Sequence, residues 1–458
     1  MRGRVLGAAA LGAVVLVAGA QPALAHGLGG RVDLPVPRWL FVFGAATALI
    51  VSFVLLTALW REPRLEDRRG RPIRAAWFQA LARRRVAEML VRSFGLLALG
   101  VVAVASFRRV GATETIGPVV VFVWFWVGLA FLQAMFGNWW ATLSPFDTLG
   151  RLMSLDYEDG RPPRTYPKAL GRWPAAVLLF GFVWIELVTP FARSLGSLGI
   201  LIFAYTAVTV AGMVVFGRRD WLANAEAFGV YLGLIAAIAP VGRDEQGRVA
   251  LRAPLAGLPR LEPRPGQLAV ILVALGSTTF DGFSRTSTWV SWTGSLTGVS
   301  KTLAGTAGLL GVVLLVAGAY ALAMVAAARV VDGHWHVLAV RFGHTLVPIM
   351  LAYVVAHYFS FLLIEGQIGL ARISDPFGYG WDLFGTASWA VNLTLLSPTF
   401  VWYVQVLAIV AGHVAGVVLA HDRAIATYEP RPAVRTQYAL LAVMVLYTAS
   451  GLLILSGG

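Results

Sequence analysis

The stretch HTLVPIMLAYVVAHYFSFLL, residues 344–363, is almost wholly apolar and long enough to cross a bilayer, yet it contains His344 and His357. An ionisable side chain inside a membrane is costly unless it is paired, so each one marks a candidate functional site. Imidazoles bind metal ions and transfer protons, and carboxylates assist them in both tasks. Apolar stretches elsewhere in the chain hold four more such residues: Glu186, Asp281, His413 and His421.

Depth along the predicted helices sorts these side chains into two layers. An α-helix rises about 1.5 Å per residue, so the distance of a residue from the end of its apolar run gives its depth. The predicted outer layer has four members: Glu186, Asp281, His357 and His26. The predicted inner layer has three members: His344, His413 and His421. Asp281 is also placed to cap a helix end and to pair with Arg285.

The leading hypothesis from these residues is a metal-assisted hydrolase. The predicted metal ligands each offer an imidazole: His344, His357, His413, His421 and His26. The predicted catalytic groups, acting as an additional ligand or as general base, are Glu186 and Asp281. Mixed histidine and carboxylate sites suit zinc, copper or iron, and a bound divalent ion would activate water and polarise a phosphoryl oxygen. The structural alternative is that each histidine is a hydrogen-bonded packing residue.

Two other functions remain open at this point. Glu186, His357 and His413 would equally serve as a relay in a transporter of protons or metal ions. A copper- or haem-carrying subunit is the third hypothesis, because His26 would become an N-terminal metal ligand after signal cleavage. Two stacked haems are disfavoured, since the histidine spacing is 13 residues in 344–357 and only 8 in 413–421.

The composition places the chain among multi-pass membrane proteins. Of 458 residues, 58% are hydrophobic and 13% are charged, and the mean hydropathy is +0.73. A soluble chain has about 25% charged residues. The net charge of +14 does not indicate nucleic-acid binding, because the arginines gather in short loops between apolar runs. The absence of cysteine excludes disulfides, thiolate metal sites and cysteine nucleophiles.

The apolar runs predict an all-α protein with ten transmembrane helices in one domain over residues 26–458. The predicted spans lie near 39–60, 89–106, 117–136, 173–192, 198–216, 266–283, 302–328, 342–364, 397–419 and 438–456. Two weaker runs, 136–155 and 221–240, are predicted as interfacial or re-entrant helices. The loops that alternate with one another across the bilayer hold 27 and 8 basic residues, which predicts a bacterial plasma-membrane protein with its mature N-terminus outside.

Residues 1–25 have the features of a secretory signal peptide. Arg2 and Arg4 precede an apolar run, and the small residues of ALA at 23–25 fit a cleavage site. The expected partners are the lipid bilayer and a small lipophilic substrate that reaches the site from it. Nucleic acid is not expected, and the oligomeric state is left open.

Several segments together resemble polytopic bacterial membrane proteins of actinobacterial type that are labelled fenitrothion hydrolase. These segments are HGLGGRVDLPVPRWLF (26–41), GNWWATLSPFDTL (137–149), STTFDGFSRT (277–286), HTLVPIMLAYVVAHYFSFLL (344–363) and GHVAGVVLAHDRA (412–424). The resemblance covers nearly the whole mature chain, and it implies hydrolysis of an organophosphorus ester. It assigns no role to individual residues, although all the candidate histidines and Asp281 lie inside these segments.

Overall fold

The computed structural model describes residues 37–66, 70–73, 84–108, 114–157, 162–191 and 196–457. The fold is mostly helical, with 71% of the residues in helices. In the described part of the chain, eight helices are long and apolar enough to cross a membrane, or nine if one bent pair counts as a single span. The chain is therefore a helical, multi-pass membrane protein. The predicted signal peptide 1–25 and His26 lie outside the described residues.

The helices and strands follow one another in this order: α1 Arg38–Leu59, β1 Arg71–Pro72, α2 Arg85–Ser106, a π-helix Val119–Gly128 that continues as α3 Leu129–Phe136, α4 Trp140–Leu143, α5 Pro145–Leu152, α6 Trp173–Leu187, α7 Ser197–Phe216, α8 Arg218–Asn224, α9 Ala227–Ala236, β2 Val241–Arg243, β3 Val249–Leu251, α10 Gln267–Phe283, α11 Ser287–Thr293, α12 Gly298–Val330, α13 Trp335–Phe342, a 3₁₀ turn Gly343–Leu346, α14 Val347–Arg372, α15 Pro398–Thr427, α16 Pro430–Thr436 and α17 Tyr438–Gly457.

These elements form two compact units. Unit 1 comprises Met1–Asp67, Ile271–Ser360 and Leu393–Gly458, and unit 2 comprises Arg68–Val270 and Phe361–Asn392. Helices α10 and α14 each begin in one unit and end in the other. The single domain expected over 26–458 stays a prediction.

Unit 1 holds the candidate histidines and packs its helices through small residues. Helix α15 begins at a Ser-Pro pair, where the Ser397 hydroxyl accepts a hydrogen bond from the Phe400 N–H at 3.2 Å. Gly412 and Gly416 let α15 approach the start of α14. A Cβ on Gly412 would lie 2.9 Å from the Pro348 carbonyl oxygen, and one on Gly416 would lie 3.0 Å from that of Thr345. Larger side chains at these two positions would separate the helices.

A sharp break follows α10 in unit 1. Helices α10 and α11 meet at 81° across residues 284–286 and satisfy the length and hydropathy of a membrane span only when taken together. Ser284 and Arg285 still donate backbone hydrogen bonds back into the last turn of α10. Thr286 then caps α11, because its hydroxyl accepts from the Trp289 N–H at 3.4 Å. The predicted span at 266–283 matches α10, but its break was not predicted.

Unit 2 is centred on aromatic side chains rather than on histidines. The π-helix directs Trp126 against Tyr231, with the two rings stacked at 5.0 Å. Phe182 and Phe228 complete this core, and their centroids lie 5.1 Å apart. Helix α9 is buried in this unit, and the interfacial or re-entrant placement of the run 221–240 stays a prediction. The run 136–155 forms the short helices α4 and α5, and the predicted span 173–192 forms the 15-residue helix α6.

The structure is consistent with the predicted all-α class, and unit 2 contains in addition a small antiparallel sheet. Its strand order is β1-β3-β2, with Pro72 opposite Ala250 and Val241 opposite Leu251. The β2–β3 hairpin turns at Gly247, whose φ of 73° favours glycine. Strands of two or three residues produce too short an alternation of apolar and polar residues to be recognised in the sequence.

Candidate functional site

The Asp281 carboxylate is the centre of the most connected polar cluster in unit 1. Asp281 lies in the last turn of α10 and is only 3% exposed. Its Oδ2 accepts a hydrogen bond from the Tyr358 hydroxyl at 2.9 Å and lies 2.8 Å from His357 Nε2. Its Oδ1 accepts from Arg285 Nη2 at 2.7 Å and from Nε at 3.1 Å. One imidazole, one phenol and one guanidinium thus share the two carboxylate oxygens.

The helix geometry explains how these four groups meet. Arg285 follows Asp281 by four residues, which is one turn, and the break after α10 lets its guanidinium turn back to the carboxylate. Adjacent residues of a helix diverge by about 100°, so His357 and Tyr358 reach one oxygen only if α10 passes close by. Gly282 lets α10 approach α17, because a Cβ there would lie 2.9 Å from Ile454 Cγ2, whereas it would make only an ordinary contact with the His357 ring at 3.9 Å.

His357 is oriented by the carboxylate and keeps one nitrogen for chemistry. With the Asp281 carboxylate as acceptor, the hydrogen-bond network assigns the ring proton to Nε2, which leaves the lone pair on Nδ1. The His357 side chain is 15% exposed, whereas that of Asp281 is 4% exposed. An imidazole held in one tautomer by a buried carboxylate is suited to accept a proton at its other nitrogen.

A second polar group lies one helical turn from His357. Tyr353 precedes His357 by four residues on α14, and its ring stacks on Tyr447 with centroids 4.8 Å apart. The Tyr353 hydroxyl donates to the Tyr447 carbonyl oxygen at 2.9 Å. The Tyr447 and Thr279 hydroxyls lie 2.6 Å apart. The His413 ring centroid lies 6.0 Å from both tyrosine rings.

His413 and His344 each have one nitrogen without a hydrogen-bond partner. His413 Nδ1 lies 2.8 Å from the Ile409 carbonyl oxygen, and His344 Nδ1 lies 3.1 Å from that of Arg341. Both Nε2 atoms are buried and unpartnered. A local carbonyl thus fixes each ring, as in an ordinary packing histidine. The open Nε2, however, is a buried acceptor that packing alone does not explain.

Both ring nitrogens of His421 have a hydrogen-bond partner, unlike those of His344 and His413. Its Nε2 lies 3.0 Å from the Trp60 carbonyl oxygen, and its Nδ1 lies 3.2 Å from Gln437 Oε1. The next residue, Asp422, is fully buried and accepts hydrogen bonds from the Trp60 indole and from three consecutive backbone N–H groups, those of 64–66. His421 and Asp422 therefore attach the segment after α1 to α15, and both His421 nitrogens are occupied by this role.

The predicted outer layer is only partly assembled within one unit. Asp281 and His357 lie together in unit 1, whereas Glu186 belongs to helix α6 of unit 2 and is partly buried. Tyr231 is close enough to Glu186 for their charges to interact, and the Tyr231 hydroxyl is buried without a hydrogen-bond partner. His26 lies outside the described residues.

Two acidic residues of unit 2 were missed by the sequence analysis. Glu226 caps α9, and its carboxylate accepts from Tyr205, Trp140 and the N–H groups of 228 and 229. Burial raises the pKa of Glu226, and these hydrogen bonds oppose that effect without cancelling it. Its position directly before an apolar helix was the available signal.

Asp147 is the second missed residue, and it holds a network of arginines. Its carboxylate pairs with Arg92, Arg151 and Arg218. Burial by itself raises the pKa of Asp147, but the hydrogen bonds from Arg92 and Arg151 and the charge of Arg218 hold it below its ordinary value. Ser144 caps the same helix by accepting from the Asp147 N–H. The SPFD sequence, with serine at the cap and an acid three residues later, was the signal.

The predicted metal site was tested against the side chains that converge. Over the residues that the structure describes, no three or more His, Asp or Glu side chains form a group that could hold a metal ion. Two imidazoles with open Nε2 atoms, His344 and His413, retain the chemistry of ligands, but no assembled set surrounds them. The divalent ion and its ligands therefore stay a prediction, and we derive no step through it.

Comparison with known proteins gives no assignment. No family model matches the chain, and no curated protein or solved structure matches it either. The resemblance to proteins labelled fenitrothion hydrolase consequently stays a prediction, and function has to be argued from the site.

Proposed function

We propose that this protein is a membrane transporter of protons in which the Asp281–His357 pair takes up and releases the proton. The single observation that carries the proposal is the hydrogen bond between the buried Asp281 carboxylate, at the end of α10, and the partly exposed His357 ring. In the proposed step, the lone pair on His357 Nδ1 accepts a proton. The imidazolium that forms is paired with the carboxylate of Asp281, and loss of the same proton restores the neutral ring.

The broken helix supports a transporter over a purely structural ion pair. Substrate and coupling-ion sites of many transporters lie where a membrane helix is discontinuous, because the interruption places polar groups inside the bilayer. Asp281 precedes the break at 284–286, and Arg285 lies in it. Arg285 and His357 are also partly exposed, with side-chain exposures of 28% and 15%. These two partly exposed side chains form the less buried side of the site, from which protons would reach it.

The distribution of histidines along unit 1 supports transfer across the membrane. His344 and His357 are 13 residues apart, which corresponds to about 20 Å of helix. His413 adjoins Tyr353, between these two levels, and its open Nε2 is an acceptor at that depth. Proton-relay residues spaced through a membrane protein are expected to show this arrangement, in which each group is buried but retains one free position.

The proposal is tested with the full-length protein in vesicles that contain a trapped pH-sensitive dye. A potassium gradient with valinomycin drives protons inward. We expect the wild type to acidify the lumen faster than protein-free vesicles do, and Asp281→Asn and His357→Gln to fall to the protein-free rate. His336→Gln is the matched control, because His336 is exposed in the first turn of α13. Wild-type vesicles no faster than empty ones, or unchanged flux in both site variants, would contradict the proposal.

A hydrolase is the second candidate, and the same pair favours it. A carboxylate that orients an imidazole is the arrangement of a general base, which here would activate water for attack on a lipophilic ester. Turnover of an organophosphorus ester in detergent, without any gradient, distinguishes this function from transport. The hydrolase requires that turnover be lost in His357→Gln and retained in His336→Gln.

A further inference from the structure

The segment 373–392 of unit 2, which follows α14, has an unusual surface and is called here the outer loop. Its large apolar side chains face outward, with Phe384 68% and Leu383 60% exposed. Four more apolar side chains of the loop are exposed: Ile373, Tyr379, Trp381 and Trp389. A water-facing loop normally presents polar side chains instead.

Two polar side chains of the outer loop are turned inward, whereas Asp382, Ser388 and Asn392 are exposed. Ser374 and Asp375 are 0% and 4% exposed. The Ser374 hydroxyl accepts from the N–H groups of Phe384 and Thr386, both at 3.1 Å. The Asp375 carboxylate accepts from the N–H groups of 379 and 380 at 2.9 and 2.6 Å. The loop thus satisfies much of its own backbone without water, which is a requirement for backbone in contact with lipid.

Further contacts make the outer loop a fixed platform. The Thr386 hydroxyl donates to the Leu370 carbonyl oxygen at 2.9 Å, which attaches the loop to the end of α14. Gln367 and Asn392 exchange two hydrogen bonds across the base of the loop. The guanidinium of Arg108 lies 4.3 Å above the Tyr379 ring. Because these contacts hold the backbone, the exposed rings cannot turn inward without breaking them.

We propose that the outer loop is inserted into the lipid headgroup region, with its aromatic rings against the first acyl carbons. Its position supports lipid as the occupant, because α14 precedes it and α15 follows it, and both are membrane helices. Tryptophan and tyrosine are the residues enriched at that depth. The segment contains no lysine or arginine, so we expect burial of apolar surface to drive insertion, equally in zwitterionic and anionic lipid.

The natural absence of cysteine makes a direct depth measurement straightforward. Single variants Phe384→Cys and Trp389→Cys are spin-labelled in the full chain and placed in phosphatidylcholine nanodiscs. Power saturation then compares how often the spin label collides with oxygen, which concentrates in lipid, and with a water-soluble nickel chelate. Leu314→Cys on the exposed face of α12 is the lipid reference, and His334→Cys in the loop before α13 is the water reference.

We expect the oxygen-to-nickel collision ratio at 384 and 389 to lie several-fold above that at 334 and below that at 314, which is in the middle of α12. The ratio should not change when phosphatidylglycerol replaces half of the phosphatidylcholine. A ratio at both loop positions equal to that of the water reference would overturn the proposal. Protection from both collision partners would also overturn it, because that result identifies a protein partner or a second copy covering the loop.

Discussion

Replacing Asp422 by asparagine removes the carboxylate that holds the segment after α1. The substitution keeps the shape of the side chain but turns one acceptor oxygen into an NH₂ donor. Asp422 Oδ1 accepts from Trp60 Nε1 at 2.8 Å and from the Arg64 N–H at 2.6 Å, and Oδ2 accepts from the N–H groups of 65 and 66 at 3.0 and 3.2 Å. Whichever way the amide turns, two of the four donors lose their acceptor.

The magnitude follows from those two donors. A buried donor left without a partner costs about 1–3 kcal/mol, so Asp422→Asn should destabilise unit 1 by about 2–6 kcal/mol. Asp422 is fully buried, but three of its four hydrogen bonds are only part-buried, so water can reach some of the donors and we expect a loss in the lower half of that range. The neighbouring His421 and Arg423 contact the same segment, at Trp60 and Glu66, and should keep it partly attached. We therefore expect local loosening of residues 60–66 to precede global unfolding.

Thermal unfolding in detergent measures the loss of stability, and limited proteolysis between α1 and α2 measures the local loosening. Asp332→Asn is the matched control, because Asp332 is an exposed loop aspartate and its replacement should change stability by less than about 0.5 kcal/mol. If Asp422→Asn unfolds like the control and is cut no faster, the carboxylate does not hold the segment as described.

Two further predictions concern Asp147 and Gly282. Because the hydrogen bond from Arg92 and the charge of Arg218 keep the pKa of Asp147 below its ordinary value despite burial, its stabilising contribution is complete above about pH 4 and is lost as the pH falls through the lowered pKa. Asp147→Asn should lower stability at neutral pH by about 3 kcal/mol, and the variant should lose less stability in acid than the wild type does. Unfolding curves measured over a pH series test this, and equal acid sensitivity of the two proteins would contradict it. In thermal unfolding, Gly282→Ala should cost about 1–3 kcal/mol, because its Cβ would meet Ile454 Cγ2 of α17 at 2.9 Å. Gly318→Ala, with open space around its Cβ on α12, is the control and should be nearly neutral.

The helices could be predicted from the sequence because the signal is local. A run of about 20 apolar residues has few structures available to it in a membrane, and each predicted span corresponds to a helix. The number of crossings could not be settled in this way, since α6 has 15 residues and α10 reaches the required length only with α11. The break at Ser284–Thr286 depends on how the Asp281 cluster and the Thr286 cap satisfy the backbone, and hydropathy does not report these contacts.

The candidate site could also be predicted in part, because some of its signal is local. Depth along a helix is local information, and it placed Asp281 and His357 in one layer, where the structure joins them. The environment of His421 is not local, because its partner Trp60 is 361 residues away in sequence. Nothing near His421 in the sequence distinguishes a ring that attaches two segments from a ring that binds a ligand. The hydrogen bond from Tyr358 to Asp281 is not local either, since only the closeness of α10 and α14 brings its hydroxyl to the carboxylate.

The central claim is that Asp281 fixes His357 in the tautomer that leaves Nδ1 open to a proton. Solid-state ¹⁵N NMR of histidine-labelled protein in lipid measures this directly, with the resonance assigned by its loss in His357→Gln. We expect the neutral form of the ring to carry its proton on Nε2 and the lone pair on Nδ1, and this preference to be lost in Asp281→Asn. A neutral His357 ring with its only proton on Nδ1, or the same tautomer with and without the carboxylate, would contradict the claim.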